Sequence, residues 1–186
     1  RIRVIELDGN LGITGNTNVG IEAAKGDYLC FFDHDDTLEP DILFEYARAI
    51  AAEPQIDLLY CDEDKLLPNG HYAMPTFKPD FSIDMVRDNN YICHLLTVRA
   101  EAYRQIEPSG PELDGAQDHA MVLKISELGG HIHHVPKILY HWRISETSTA
   151  GNSDSKPYAT QAGILAVQQH LDRLGVVDAV DAADEV

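Results

Sequence analysis

The stretch FFDHDDTLEP, Phe31 to Pro40, sets Asp33, Asp35, Asp36 and Glu39 directly behind an apolar run. Carboxylates this close raise one another's proton affinity unless a cation sits among them. Clustered oxygen ligands suit a hard divalent ion, Mg²⁺ or Mn²⁺, and such ions commonly bring a phosphate group with them. A plain turn explains one aspartate as a cap or turn former, but it gains nothing from the mutual repulsion of three. A second acidic group, Asp62, Glu63 and Asp64 in YCDEDK, also follows an apolar run.

The elements that must position these acids alternate between strand and helix. RIRVIEL alternates like a strand, NVGIEAAKG reads as a short helix stopped at Gly26, and the apolar run YLCFF suits a strand covered on both faces. Pro40 opens a helix to about Ala52, with Leu43, Ala47 and Ile50 on its inner face. IDLLYCDED reads as a strand ending in acids, a proline-bearing loop follows, and YICHLLTV and RAEAYRQI read as strand and helix. The next helix spans DGAQDHAMVLKISELGG, with Asp114 as N-cap, Gln117 three residues on, and Met121, Ile125 and Leu128 turned inward. HIHHVPKILYHW reads as a broken strand pair. Ser155 and Pro157 start a last helix, with Ile164, Val167, Leu171 and Leu174 on one stripe. This alternation predicts an α/β sandwich with a largely parallel sheet, whose ligands gather at the carboxyl ends of strands. Both acidic groups are expected there.

Bulk properties narrow the function classes. A length of 186 residues suits one domain with a real core, and a net charge of -17 argues against a nucleic-acid partner. No apolar run reaches the length of a membrane-spanning helix, and the first residues lack a signal-peptide pattern. Cys30, Cys61 and Cys93 are scattered in or beside apolar runs without metal-ligand spacing. They read as small core residues of a protein in a reducing, cytosolic setting.

Taken alone, FFDHDDTL satisfies two signatures. An apolar strand followed by D-x-D-x-T resembles the haloacid-dehalogenase phosphatases, whose first Asp is a covalent nucleophile and whose second is a general acid. The same residues match the D-x-D of nucleotide-sugar glycosyltransferases. The phosphatase pattern wants this strand first in the domain and its later acidic pair farther on than YCDEDK, so it stands second. The ordered set NLGITGNTNVGIEAAKGDYLCFFDHDDTLEPDIL, YCDEDK, FKPDFSIDMVRDNNYICHLLTVR, DGAQDHAMVLKISELGGHIHHVPKILYHWR and STA...KPYA resembles family 2 glycosyltransferases of the GT-A fold. Within them it is similar to the bacterial branch associated with O-antigen and rhamnan synthesis, and the resemblance covers nearly the whole chain. It implies a GT-A-like (Rossmann-like), mostly parallel sheet sandwiched by helices. It also implies inverting hexosyl transfer from a nucleoside-diphosphate sugar to a saccharide or lipid-linked saccharide acceptor in cell-surface polysaccharide synthesis. The expected location is the cytoplasm or the inner face of the membrane, with any membrane association peripheral and made through other parts of the full protein.

By the same resemblance, Asp33 and Asp35 bridge Mn²⁺ or Mg²⁺ to the donor diphosphate, His141 is a further metal ligand, and Arg143 contacts the diphosphate. Asp36 contacts the donor or supports its loop, with a helix cap as the plain alternative. Asp118 in GAQDHA is the implied general base, where the residues alone indicate an acid favoured in a helix's first turn. Gln117 stands where many relatives have Glu. Asn90, Tyr91, His94 and Trp142 are placed on the acceptor side, with Trp142 equally a packing residue, and Asp62 and Asp64 near the sugar pocket. His131, His133 and His134 read as ordinary strand residues, because successive strand positions face opposite ways. Family members open with a strand, a helix and a DDGS-like segment before the equivalent of Arg1. Residues 1–175 are therefore expected to form a partial domain lacking the first strand-helix units, followed by an acidic tail or the start of a further segment at 176–186. Alone, such a chain is expected not to transfer sugar. The alternative function is a catalytically silent sugar- or nucleotide-binding domain of a larger enzyme.

Overall fold

The apolar run Ile56–Tyr60 continues through the acids to form an eleven-residue strand, β3 (Ile56–Leu66), in the computed structural model, which describes residues 2–144, 157–176 and 180. Its parallel neighbour is β6 (His131–Arg143), in register from Ile56 against His131 to Leu66 against Arg143. Around this pair lie β1 (Tyr28–Phe31), β2 (Thr37–Leu38), β4 (Tyr72–Thr76) and β5 (Leu96–Arg99). The order is β1-β5-β3-β6-β2, with β4 paired to β3. The helices are α1 (Gly12–Ala23), α2 (Ile42–Ala52), α3 (Ile83–Asp88), α4 (Ala100–Tyr103), α5 (Gln117–Glu127) and α6 (Pro157–Leu174), with a 3₁₀ turn at Pro111–Leu113.

The α/β class holds, but the sheet is mixed. Apart from β3–β6, the pairings β1–β5, β2–β6, β3–β4 and β3–β5 are all antiparallel. A parallel neighbour needs a crossover that returns the chain to its starting end. After Leu66 the chain instead folds back as β4 and stays near that end until β5 descends beside β3. Core residues cover both faces: Leu58 and Tyr60 pack with Leu123 and Ile125 of α5, and Leu59 and Cys61 pack with Ile42 and Tyr46 of α2.

Several local expectations shift for identifiable reasons. Residues 2–7 form no strand and are exposed, since no described strand lies alongside to take their ladder bonds. β1 borders only β5, so Leu29 alone is buried and Cys30 is exposed. α2 turns Ile42 and Tyr46 inward and leaves Leu43 and Ala47 out, with the Tyr46 hydroxyl donating to the Leu95 carbonyl at 2.9 Å. In β6 a single strand replaces the expected pair, because a register shift between Cys61 and Asp62 accommodates Pro136, which has no N–H for a ladder. Asp114 does not cap α5. Its carboxylate accepts the Thr14 N–H at 2.8 Å and so caps α1, which therefore starts at Gly12, earlier than the local sequence predicts. In α6, Ala162, Ala166, Val167 and His170 are buried while Leu174 is exposed, and Ser155 lies outside the described residues. Among the described residues no helix is long and apolar enough to cross a membrane.

Candidate active site

β1 ends at Phe31, and the chain turns through Asp33 to Asp36, where the Asp36 N–H donates to the Asp33 carbonyl at 3.3 Å. β2 then pairs with the far end of β6, Thr37 opposite His141 and Leu38 opposite Tyr140. Asp36 fastens the turn to that strand end: its buried carboxylate accepts the Arg143 N–H at 2.8 Å and the Tyr140 hydroxyl. Burial pushes the Asp36 carboxyl up, against the lowering effect of those two hydrogen bonds. Burial, and then the carboxylate it serves, push the Tyr140 hydroxyl far up, so it remains a donor. With Asp36 turned inward, Asp33 and Asp35 are left facing a cleft of about 860 Å³.

The opposite wall comes from the loop after α3 and the start of α5. Asn90, Cys93, His94 and Asp118 line the cleft together with Trp142 of β6. Asp118, in the first turn of α5, accepts from Asn90 Nδ2 at 3.1 Å and from the Cys93 thiol at 3.7 Å, both through Oδ2. Burial first, and the Asp118 carboxylate second, push that thiol well up, so it stays protonated and can donate. Among the described residues both hydrogen bonds to Asp118 go to Oδ2, which leaves Oδ1 to meet a ligand proton. His94 presents Nε2 to Asp33 at 3.8 Å, with its ring stacked on Tyr140 and edge-on to Trp142. Gly115, just before α5, has φ +89°, and a Cβ there would meet Tyr158 at 2.9 Å and Ala159 at 3.1 Å. Only glycine lets α6 close on the cleft at this point.

Lys78 explains why residues 91–95 form a loop instead of the predicted strand. Its ammonium, with a side chain 1% exposed, donates to Glu63 at 3.0 Å and to the Ile92 and His94 carbonyls at 2.9 Å each. Carbonyls that a strand would give to a ladder are held by a buried cation, and His94 is thereby aimed into the cleft. Burial works to raise the Glu63 carboxyl, but the ammoniums of Lys78 and Lys65 prevail and hold it below its usual value. Sequence reading passed over Lys78. The available signal was charge balance, since three acids inside an apolar strand require cations from elsewhere in the chain.

The remaining predicted residues have other places. His141 is buried, its ring nitrogens facing Asp64 at 2.6 Å and Glu39 at 3.1 Å, with Tyr72 stacked on it at 4.0 Å. Both nitrogens thus face carboxylates away from the cleft, and His94 is the histidine that lies beside Asp33 and Asp36. Asp62 accepts the Lys78 N–H at 2.9 Å and faces His134 at 2.8 Å, so Asp62 and Asp64 are buried in the strand and do not line this cleft. Tyr91 does not line the cleft: its hydroxyl accepts from Ser82 N at 2.9 Å and its ring packs edge-on against Tyr60. Arg143 holds the Asp35 carbonyl through Nε. Trp142 carries the Lys65 ammonium 3.7 Å above its ring, a cation–π contact that fixes the indole.

One oxygen each of Asp33 and Asp36 and a ring nitrogen of His94 lie within 4.8 Å of one another, and Asp35 stands beside them in the cleft. Carboxylate oxygens with one imidazole form a donor set that fits Mn²⁺ and, less well, Mg²⁺.

The glycosyl transferase family 2 model matches residues 1–105. O-antigen biosynthesis protein RfbC of Myxococcus xanthus is 39% identical over 94% of the chain and 14% of the relative. Uncharacterized protein y4gI of Sinorhizobium fredii is 38% identical over 93% of the chain and 19% of the relative. The chain thus spans less than a fifth of either relative's length. A crystal structure of S. aureus TarS 1-349 superposes with TM-score 0.59 at 18% identity, covering 90% of this chain and 64% of that one. That likeness concerns the fold alone.

Proposed function

The chain belongs to glycosyl transferase family 2, and from that premise we propose that it transfers a sugar, with inversion, from a nucleoside-diphosphate donor to a saccharide hydroxyl in cell-surface polysaccharide synthesis. The observation that carries the reading is the meeting of Asp33 and Asp35 with Asp118 across one cleft, although α5 and β1 are far apart in sequence. One side of the cleft offers open carboxylates and the other a carboxylate whose Oδ2 is tethered.

Asp33, Asp36 and His94, with Asp35 beside them in the cleft, would hold Mn²⁺ or Mg²⁺, which when bound offsets the charge on the departing diphosphate. Asp118 Oδ1 takes the proton of the acceptor hydroxyl while that oxygen forms its bond to the anomeric carbon. The bond from that carbon to the diphosphate oxygen breaks, and its electron pair leaves with the nucleotide. Attack from the side opposite the leaving group inverts the anomeric centre. Asn90 and Cys93 hold Asp118 in one orientation, and Trp142 offers a flat apolar surface to a sugar ring.

The test is to screen nucleotide sugars for hydrolysis and transfer with the complete gene product, then to repeat the reactive pair with Asp118→Asn. Turnover is expected to fall by about 10²-fold or more, the usual scale for a positioned base, with donor affinity retained. Near-normal turnover reduces Asp118 to a helix-stabilising acid. Metal-dependent diphosphate binding without turnover on any pair favours a silent binding domain instead.

A further inference from the structure

At the opposite end of β6 from Trp142 lies a second cluster. His131 and His133 occupy alternate strand positions, so their rings share a face, 6.1 Å apart between centroids. His134 turns to the other face, where it stacks on Tyr60 and meets Asp62. All three lie in the strand as the sequence predicts, and the period of two that separates His134 is what unites the other pair. Glu53, the residue that closes α2, reaches both rings: Oε2 is 3.2 Å from His131 Nε2 and Oε1 is 3.9 Å from His133 Nδ1. One ligand atom from each of the three residues lies within 4.8 Å of the others.

We propose that Glu53, His131 and His133 form a binding site for a borderline divalent cation of the Zn²⁺ class, remote from the cleft. Two imidazole nitrogens and one carboxylate oxygen suit Zn²⁺, Ni²⁺ and Cu²⁺, whereas Mg²⁺ and Mn²⁺ prefer oxygen-rich sets such as that of the cleft. Zinc–ligand bonds of about 2.05 Å in a tetrahedron place ligand atoms about 3.3 Å apart. The edge from His131 to Glu53 Oε2, at 3.2 Å, already has that length, and His133, now 3.9 Å from the other oxygen, Oε1, completes the set when the part-exposed carboxylate and ring turn to bring it onto the same ion.

All three side chains are part-exposed, so the rings have room to turn and the fourth position opens to water. Their backbones are held. β6 is paired to β3 here, His131 opposite Ile56 and His133 opposite Leu59, and the His131 N–H donates to Asp57 at 3.1 Å. Arg99 is committed to Asp57 at 3.4 Å and to the Pro54 and Ile56 carbonyls, so its charge is already engaged beside the strand start that carries His131. A bound ion ties the end of α2 to the start of β6, two segments far apart in the unfolded chain. It would therefore act as a structural clamp, stabilising the folded state alone.

The test is a Zn²⁺ titration of the untagged protein by calorimetry, with excess Mg²⁺ present to occupy the cleft, paired with thermal melts. One Zn²⁺ per chain is expected to bind and to raise the melting temperature. Affinity should fall by about tenfold or more in His131→Asn and in His133→Asn, and stay unchanged in Asp33→Asn. Co²⁺ in place of Zn²⁺ should give intense visible absorption in the parent protein, a reading of low-coordinate nitrogen ligation that needs no variant. Equal zinc affinity in the parent and the doubly substituted protein overturns the site. So does the absence of zinc binding, or a Co²⁺ spectrum no stronger than that of the hydrated ion, either of which leaves only a histidine–glutamate ion pair.

Discussion

Asp33 and Asp35 stand at the cleft with side chains 59% and 46% exposed, whereas those of Asp62, Glu63 and Asp64 in β3 are 5%, 7% and 10% exposed. The strand acids are each compensated from within: Asp62 by the Lys78 N–H and His134, Glu63 by Lys78 and Lys65, Asp64 by His141. Among the described residues the cleft acids Asp33 and Asp35 have nothing comparable, only an imidazole 3.8 Å from Asp33 and a histidine beside Asp35. A buried carboxylate without a partner is too costly to persist, so β3 could keep its acids only by collecting cations and N–H groups from the rest of the chain. Acids left open to water carry no such requirement and remain available to a cation from solution. Where compensation comes from within, the acids are scaffold, and where it is left to come from outside, they are open to a ligand. Lys78 links the two regions, because the ammonium that neutralises Glu63 also aims His94 at Asp33.

The sharpest way to break this contrast is Lys78→Met. Removing one partner of a buried ion pair costs about 3–5 kcal/mol, and here it also releases two carbonyls of the cleft loop. Urea unfolding should show that loss. A change below about 1 kcal/mol would mean that β3's acids are solvated like those of the cleft.

Asp33→Asn should do the reverse. Stability should hold within about 0.5 kcal/mol, as for an open surface residue, while metal-dependent diphosphate binding weakens and turnover of the complete gene product falls by about 10²-fold. A melting temperature that drops along with activity would make Asp33 structural and erase the distinction.

The smallest effect is in the pH dependence. The folded state lowers Glu63 below its ordinary 4.5, so its contribution is fully present above that value and is lost as pH falls through the folded one. Asp36 is raised above 3.8 by burial, so its contribution has the opposite sign, present below that value and lost as pH rises through the folded one. Unfolding free energies measured from pH 6 down to pH 3 should therefore fall less steeply in Glu63→Gln and more steeply in Asp36→Asn. Parallel curves for both variants and the parent would remove the electrostatic difference between turn and strand.

Much of this was legible in the residues. The β1 and α2 segments flanking the acidic turn and the places of α5 and α6 follow from short-range spacing, and the family from the resemblance of its ordered motifs, although Leu128 and Leu174, expected inward, are exposed. What local pattern could not carry was pairing. YICHLLTV has the composition of a strand, yet its first half is a loop because Lys78, outside it in sequence, takes its carbonyls. Asp114 has the spacing of a cap for α5 and caps α1 instead. His141 and His94 are both histidines next to apolar residues, and only the fold puts one between two carboxylates and the other at the cleft.

By itself the sequence determined the family, the α/β alternation, the two acidic groups and the presence of Asp118 at a helix start. The tertiary structure decided that the sheet is mixed, that Asp62, Glu63 and Asp64 lie inside β3, and that Asp36 is held by Tyr140 and Arg143 while Asp33 and Asp35 line one cleft with Asp118. It also decided that His131 and His133 meet Glu53. The physical reason is that charge interactions and desolvation depend on distance and burial in space, and these are set by the β3–β6 register and by the few long-range cations that fold back onto it.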